Sequence, residues 1–180
     1  KNFVIAIPGR IESSRLPNKL LLEIDGKSII TRVLEQCLKA VERDRVVLCT
    51  DSDKLSIKAK ELKINSILTK KGCESGTDRI ASISNELIKI ANNIKDERNS
   101  FEEEIIKNTL IINVQGDQPF LDPKLIKEMI NFCFNDQKIP PLTTPIYKLD
   151  PTNIHNPNVV KTLINNKRQA IYFSKIGRAH

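Results

Sequence analysis

The chain has 180 residues, of which 39% are hydrophobic, 28% charged and 4% aromatic. This length suffices for one core of ordinary size and is too short for two comfortable domains, so we expect a single domain over residues 1–175. The formal net charge of +7 favours an anionic partner. A nucleic-acid-binding domain is disfavoured, because such domains carry a basic stripe interleaved with stacking aromatic residues, which are scarce here.

The cysteine pattern argues against a metal or redox motif. Four cysteines lie far apart without a C-x-x-C pair, and only two histidines are present, so no zinc site is predicted. A reduced, cytoplasmic protein fits this pattern. The opening segment Phe3–Pro8 has the character of a first strand and not of a signal peptide. Because no apolar run approaches the roughly 20 residues that span a bilayer, we expect no membrane insertion.

Short apolar runs rich in β-branched residues alternate with helical patterns along the chain. This alternation predicts βαβ units and therefore an α/β fold with a mostly parallel sheet flanked by helices. Ligands of such a sheet bind beyond the carboxyl ends of the strands, so the loops after Pro8, Thr50 and Val114 should carry the function. The predicted strands are Phe3–Pro8, Arg45–Thr50, Leu110–Val114, Leu142–Lys148, Val159–Ile164 and Ala170–Phe173.

Three helices are predicted between these strands. The first begins after Ser28, whose hydroxyl can cap it. The second follows Thr77, with apolar residues at helical spacing over Ile80–Ile94. The third begins at Asp122-Pro123, an N-cap followed by proline at the first helical position. The charged segment Asn92–Asn108 has a poor apolar pattern and predicts an exposed insertion, not a second domain.

The loop after the first strand concentrates positive charge, with Arg10, Arg15 and Lys19 beside two serines. Such a loop suits a triphosphate, because arginine grips phosphate oxygens in pairs and one charge-assisted hydrogen bond contributes about 1.5–3 kcal/mol. The alternative is a solvated basic loop in which Pro17 forms a turn. Neither G-x-G-x-x-G nor a Walker P-loop is present to decide between them.

A carboxylate follows the third predicted strand within the sequence Gln115-Gly116-Asp117-Gln118-Pro119. A carboxylate at the tip of a buried strand is costly unless it is paired or holds a cation. Beside a polyphosphate, Mg²⁺ would be the natural partner, bound by one or two carboxylates, phosphate oxygens and water. The alternative makes Asp117 the start of a tight turn, with Gly116 at positive φ.

Residues 74–79 open the second predicted helix. The amides and hydroxyls there can meet a ribose, a base edge or a phosphate, and Arg79 could reach toward the anion. Simple capping of the helix by Thr77 is the alternative. Asp51, directly after the second strand, either orders its loop or lies near the metal.

Several short blocks, each weak alone, occur together in one order over about residues 3–175. They are Pro8-x-Arg10, Ser14-Arg15-Leu16-Pro17-x-Lys19, Thr50-Asp51, Ser75-Gly76-Thr77-Asp78-Arg79, Val114-Gln115-Gly116-Asp117-Gln118-Pro119, Asn156-Pro157-Asn158-Val159-Val160-Lys161 and Tyr172-Phe173-Ser174. The ordered set resembles the 3-deoxy-manno-octulosonate cytidylyltransferase family, also called CMP-Kdo synthetases.

The resemblance implies a glycosyltransferase-A-like (Rossmann-like) nucleotidyltransferase fold. It also implies transfer of CMP from CTP to the acidic sugar Kdo, giving CMP-Kdo and pyrophosphate for lipopolysaccharide biosynthesis, and a homodimer for the full-length protein. Gln115 would face the sugar. The remaining implied site residues are Arg10, Arg15 and Lys19 on the triphosphate, Pro8, Gly9, Ser75, Gly76 and Arg79 around the nucleotide, and Asp117 on Mg²⁺.

The chain departs from the family pattern at two places that bear on these expectations. Gly9 stands where the family usually has alanine. The family continues past Ser174, whereas residues 176–180 do not match it, so we expect a missing C-terminal part, a non-native tail and weak or absent activity. Two alternatives stay open: another CMP-sugar synthetase, such as one for sialic acid, and a nucleotide-binding module without turnover.

Overall fold

The computed structural model describes residues 1–11, 16–97, 100–135 and 140–174. The chain forms two compact units, Lys1–Pro141 and Leu142–His180. The predicted domain boundary at residue 175 stays a prediction, because residues 175–180, and with them the proposed non-native tail, lie outside the described ranges.

The first unit contains short strands and helices in alternation. Its strands are β1 (Asn2–Gly9), β2 (Glu23–Ile24), β3 (Lys27–Ser28), β4 (Val46–Thr50), β5 (Asn65–Leu68) and β6 (Thr109–Asn113). Its helices are α1 (Ile29–Ala40), α2 (Asp53–Glu61), α3 (Gly76–Ala81), α4 (Ser84–Asn92), α5 (Glu103–Lys107) and α6 (Pro123–Asn135).

Four strands form one parallel sheet in the order β5-β4-β1-β6. The predicted parallel sheet flanked by helices is therefore confirmed. Strand β5 was missed, because an edge strand with only two apolar residues, Ile67 and Leu68, gives little sequence signal. The β2–β3 hairpin was also missed, although its turn, Asp25-Gly26 with φ values of 48° and 72°, carries the Asp-Gly pair typical of two-residue hairpin loops.

The two faces of the sheet build two hydrophobic cores, because side chains of a strand alternate between its faces. Helices α1, α2 and α6 cover one face, while α3 and α4 cover the other. The first core includes Ile5, Ile7, Val46, Leu48, Ile30, Leu34, Leu55 and Ile130. The second includes Val4, Ala6, Val47, Cys49, Ile80, Ile83, Leu87 and Ala91.

Two of the three helix caps predicted from the sequence are confirmed. The Ser28 hydroxyl accepts a hydrogen bond from the Thr31 amide at the start of α1, and the Asp122 carboxylate accepts one from Lys124 at the start of α6. The expected cap at Thr77 is wrong. Ser75 caps α3 instead, one residue before Gly76 opens the helix.

The long helix expected over Ile80–Ile94 is two helices, α3 and α4. The break lies at Ser82 and Ile83, where the Ser82 hydroxyl donates to the Arg79 carbonyl at 2.7 Å. A serine hydroxyl that bonds its own backbone competes with continuation of the helix. Ile94 lies beyond the end of α4.

The second unit contains an antiparallel hairpin, β7 (Lys161–Ile164) with β8 (Ala170–Ser174). Both strands were predicted, although the predicted start of β7, at Val159, lies two residues before its observed start at Lys161. The strand expected over Leu142–Lys148 is wrong: this segment has no regular secondary structure, and Leu142 is 89% exposed. Pro145 interrupts it, and proline has no amide hydrogen to donate to a neighbouring strand.

The charged segment Asn92–Asn108 is largely exposed in its described part, as predicted, and contains the short helix α5. Of the helices in the described residues, none combines the length and the apolar character that a membrane crossing would require.

Candidate active site

A cleft opens at the carboxyl end of the parallel sheet, where the loops after β1, β5 and β6 meet. Its volume is about 180 Å³. The loops after Pro8 and Val114 were predicted to carry the function, and both line it. The loop after Thr50 lines a neighbouring cavity instead. The cleft is lined by Pro8, Gly9, Arg10, Lys19, Leu20, Ser75, Gly76, Arg79, Gln115, Gly116 and Asp117.

Pro8 forms the floor of the cleft and is in close contact with two glycines. A Cβ on Gly116 would lie 2.8 Å from the Pro8 carbonyl oxygen, and a Cβ on Gly76 would lie 2.9 Å from the Pro8 ring carbon Cγ. Only glycine allows such close approach of backbone. The alternative that Gly116 needs a positive φ is wrong, since the positive-φ glycines of the described residues are Gly26 and Gly72.

Lys19 and Asp117 form an ion pair in the cleft. The Lys19 ammonium donates to Asp117 Oδ2 at 2.7 Å, and the two side chains are 39% and 45% exposed. Lys19, which was expected to bind phosphate, and Asp117, which was expected to bind a metal ion, thus neutralise each other's charge. An exposed pair of this kind contributes only about 0.2–1 kcal/mol, so a polyphosphate or a divalent cation can separate it.

The surroundings of Asp117 fit a nucleotide-bound metal better than an all-protein metal cage. Within the described residues, no three potential ligands among His, Cys, Asp and Glu come together. Mg²⁺ commonly takes one or two carboxylates and completes its shell with phosphate oxygens and water. One half-exposed carboxylate beside two cationic side chains, Arg10 and Lys19, has the donor set for that arrangement.

Arg79 lines the cleft, but its charge is already paired. Its side chain is 3% exposed and donates to Asp51 Oδ2 at 2.7 Å and to the Thr69 hydroxyl. Asp51 itself is 17% exposed. Of the two predicted roles of Asp51, the structure therefore supports the ordering of its loop. The ion pair joins the end of β4 to α3, and Arg79 alone of the two residues lines the cleft.

Gln115 follows β6 and presents its side chain beside α3. Its amide nitrogen donates to Asn113 Oδ1 at 2.8 Å, and its Oε1 lies 3.6 Å from the position a Cβ on Gly76 would occupy. Asn113 was not among the predicted site residues. Its signal in the sequence is only a polar residue at the end of an apolar strand.

Ser75 is occupied as a helix cap. Its hydroxyl accepts from the Asp78 amide at 3.1 Å and donates to the Asp78 carboxylate at 2.7 Å. At Gly9, where the resembling family usually has alanine, a Cβ would meet only the ends of leucine side chains, the nearest being Leu55 Cδ1 at 3.3 Å. Of the predicted site residues, all but Arg15 line the cleft, and Arg15 lies outside the described residues.

A family model described as cytidylyltransferase matches residues 4–176. The chain belongs to the cytidylyltransferase family. Two similar relatives are named 3-deoxy-manno-octulosonate cytidylyltransferase: one from Polynucleobacter necessarius, 34% identical over 174 residues, and one from Legionella pneumophila, 38% identical over 177 residues. Each match covers 97% of this cytidylyltransferase chain and 62% of the relative. The chain thus spans less than two thirds of the length of these relatives.

Solved structures agree with the family. The structure of a CMP:2-keto-3-deoxy-manno-octonic acid synthetase complexed with CTP matches all of this cytidylyltransferase chain and 66% of its own, with a TM-score of 0.71 and 27% identity. A cytidylyltransferase from Leptospira borgpetersenii shares the fold over 76% of the chain and 50% of its own, with a TM-score of 0.55 and 21% identity. The predicted nucleotidyltransferase fold is confirmed.

Proposed function

We propose that this protein transfers CMP from CTP to Kdo, giving CMP-Kdo and pyrophosphate for lipopolysaccharide biosynthesis. One observation carries the proposal: the cations Arg10 and Lys19 and the carboxylate Asp117 line one cleft. This is the set of charges that a triphosphate and its metal require. Gly76, the first residue of α3, lines the same cleft. The names of the relatives and the CTP complex of the similar structure support the choice of CTP and Kdo.

In the proposed reaction a hydroxyl of Kdo attacks the α-phosphorus of CTP. A new oxygen–phosphorus bond forms, the bond to the β-phosphate bridging oxygen breaks, pyrophosphate leaves, and the hydroxyl proton passes to solvent. Arg10 and Lys19 grip the phosphates, with the Lys19 ammonium moving from Asp117 to a phosphate oxygen. No covalent nucleophile of the protein is needed, because positioning and charge neutralisation supply the rate.

Asp117 is the residue that would hold Mg²⁺ in this proposal. The ion, when bound, supplies positive charge that offsets the charge of the phosphates. Arg15, from the same basic loop as Arg10, is assigned to the triphosphate as well. Gln115 is assigned to the sugar, and Ser75, Gly76, Pro8 and Gly9 to the nucleotide.

The proposal includes a cytoplasmic setting and a homodimer of the full-length protein. Four unpaired thiols, three of them buried, suit a reducing compartment. CTP and Kdo are the proposed small-molecule partners. Nucleic acid is not among them, because the cations that line the cleft stand beside a carboxylate and no aromatic platform, unlike a single-strand-binding groove.

Nucleotide binding tests the first half of the proposal. CTP with Mg²⁺ should raise the melting temperature of the chain, while ATP, GTP and UTP should do so less at equal concentration. Lys19→Met should weaken CTP binding about tenfold to a hundredfold, the loss of one charge-assisted hydrogen bond. Lys58→Met, which removes an exposed lysine of α2, should leave binding unchanged. Equal stabilisation by all four nucleotides would contradict the choice of cytidine.

Pyrophosphate release tests the second half. In the full-length protein, with CTP and Mg²⁺, Kdo should stimulate release and sialic acid should not. Asp117→Asn should abolish the stimulation without lowering the melting temperature, because the exposed Lys19–Asp117 pair contributes little stability. CTP binding without any Kdo-dependent release would instead identify a nucleotide-binding module, and stimulation by sialic acid would identify another CMP-sugar synthetase.

A further inference from the structure

Asn113 and Gln115 lie on the same face of the sheet. The Val114 amide donates to the Ala6 carbonyl at 3.1 Å, so the pleat of β6 continues one residue past its end. Residues two apart along a pleated strand point to the same side. Ile111, at the preceding position of this row, packs into the core that α3 and α4 cover. The two polar side chains therefore extend this apolar row toward the start of α3.

In the hydrogen bond between them, the Gln115 amide turns its nitrogen toward Asn113 and its oxygen toward Gly76. Gln115 Nε2 donates to Asn113 Oδ1 at 2.8 Å, which leaves Oε1 on the side of Gly76, where both Gln115 and Gly76 line the cleft. A glutamine held in this way turns its carbonyl oxygen, a hydrogen-bond acceptor, toward Gly76 and the cleft. The reverse arrangement, with Asn113 donating, would offer a donor instead.

We propose that Asn113 is a positioning residue that holds Gln115 Oε1 as an acceptor for a hydroxyl of the sugar substrate. This inference rests on the proposed function and deepens it. Asn113 itself does not line the cleft, so it acts only through Gln115.

The proposed function assigns the sugar to Gln115, and the position of Gln115 in the chain agrees with this assignment. Gln115 and Asp117 flank Gly116, which is in close contact with Pro8. Two residues span at most about 7 Å of backbone, so the backbone at Gln115 lies close to that at Asp117, the residue proposed to act at the phosphate. The sugar hydroxyl that attacks this phosphate belongs to a molecule that must bind close by.

The amide orientation can be tested without any activity. In ¹⁵N-labelled protein, the two side-chain amide resonances of Gln115 should shift in Asn113→Ala and return close to their original positions in Asn113→Asp. Aspartate can only accept at this site, so it preserves the proposed orientation. Gln115 resonances that are unaffected by Asn113→Ala would overturn the proposal.

Kinetics test the consequence for the reaction. In the full-length protein, Asn113→Ala should raise the KM for Kdo about fivefold to tenfold, the loss of one neutral hydrogen bond, with the KM for CTP changed less than about twofold. Asn113→Asp should restore the KM for Kdo to within about twofold of the wild type. A change confined to the KM for CTP, or a failure of aspartate to rescue, would overturn the assignment.

A matched control is available on the opposite face of the sheet. Asn131 of α6 is also an exposed asparagine whose Oδ1 accepts a hydrogen bond, here from Lys1 at 3.0 Å. Asn131→Ala should leave both KM values unchanged. If the wild-type protein forms no CMP-Kdo, the proposed function fails, whereas the resonance measurement still decides whether Asn113 positions Gln115.

Discussion

Breaking the largely buried ion pair between Arg79 and Asp51 should destabilise the fold far more than breaking a surface pair. Arg79 is 3% exposed and Asp51 17%, with 2.7 Å between guanidinium and carboxylate. Removing one partner of a buried pair leaves an uncompensated charge and costs about 3–5 kcal/mol. For a chain of this size, each kcal/mol corresponds to about 2–4 °C in melting temperature, so a loss of about 6–20 °C is expected.

The two single variants should not be equivalent. Asp51→Ala leaves the more deeply buried charge, the guanidinium, without its carboxylate. Arg79→Met leaves the carboxylate, which is more exposed and can bind water. We therefore expect Asp51→Ala to destabilise more than Arg79→Met. The double variant should recover part of the loss, because it removes both charges together.

Urea or thermal unfolding, followed by circular dichroism, measures these differences. The control is the exposed pair Lys58–Glu61, 35% and 52% exposed at 3.1 Å, where Glu61→Ala should cost no more than about 1 kcal/mol. If Asp51→Ala destabilised the protein no more than Glu61→Ala, the reasoning from burial would be refuted. Full additivity of the two single variants would refute the coupling between Asp51 and Arg79.

Two further predictions concern the cleft floor and the thiols. Gly116→Ala should destabilise the protein by about 1–3 kcal/mol in urea unfolding, because its Cβ would lie 2.8 Å from a carbonyl oxygen, whereas Gly9→Ala, facing flexible side-chain ends at 3.3 Å or more, should cost less. Equal costs would contradict this. Burial raises the pKa of the Cys37 and Cys49 thiols from 9.0 to about 12. Because the unfolded chain loses these thiol protons near pH 9 and the folded protein keeps them until about pH 12, the urea midpoint should fall progressively between these two pH values. The fall should be less steep in a Cys37→Ala/Cys49→Ala variant, and an unchanged slope would contradict the assignment to these thiols.

Much of the sheet could be predicted from the sequence, because β1, β4 and β6 are apolar runs of the length of a buried strand. The helix starts at Ser28 and Asp122-Pro123 were predictable for a local reason, since a cap and its amide partner are close in sequence. The strand predicted over Leu142–Lys148 does not form, because Pro145 lacks the backbone amide hydrogen that pairing with a neighbouring strand needs.

The candidate site was predictable as a set of loops but not as a set of contacts. The pairing of Arg79 with Asp51 depends on the packing of α3 against β4, which no local sequence pattern indicates. The Lys19–Asp117 pair joins residues far apart in the sequence, and composition alone cannot say whether such residues bind a ligand or each other. Predicting the hydrogen bond between Gln115 and Asn113 requires knowing which face of β6 packs toward α3.

The glycine floor of the cleft has a consequence for how specificity can change. Where Pro8 meets Gly76 and Gly116, three loops touch chiefly through main-chain atoms and a proline ring, whereas Arg10, Lys19 and Gln115 also line the cleft. Under the proposed function, substitutions of these three residues can therefore alter ligand preference while the contacts that hold the loops together stay in place.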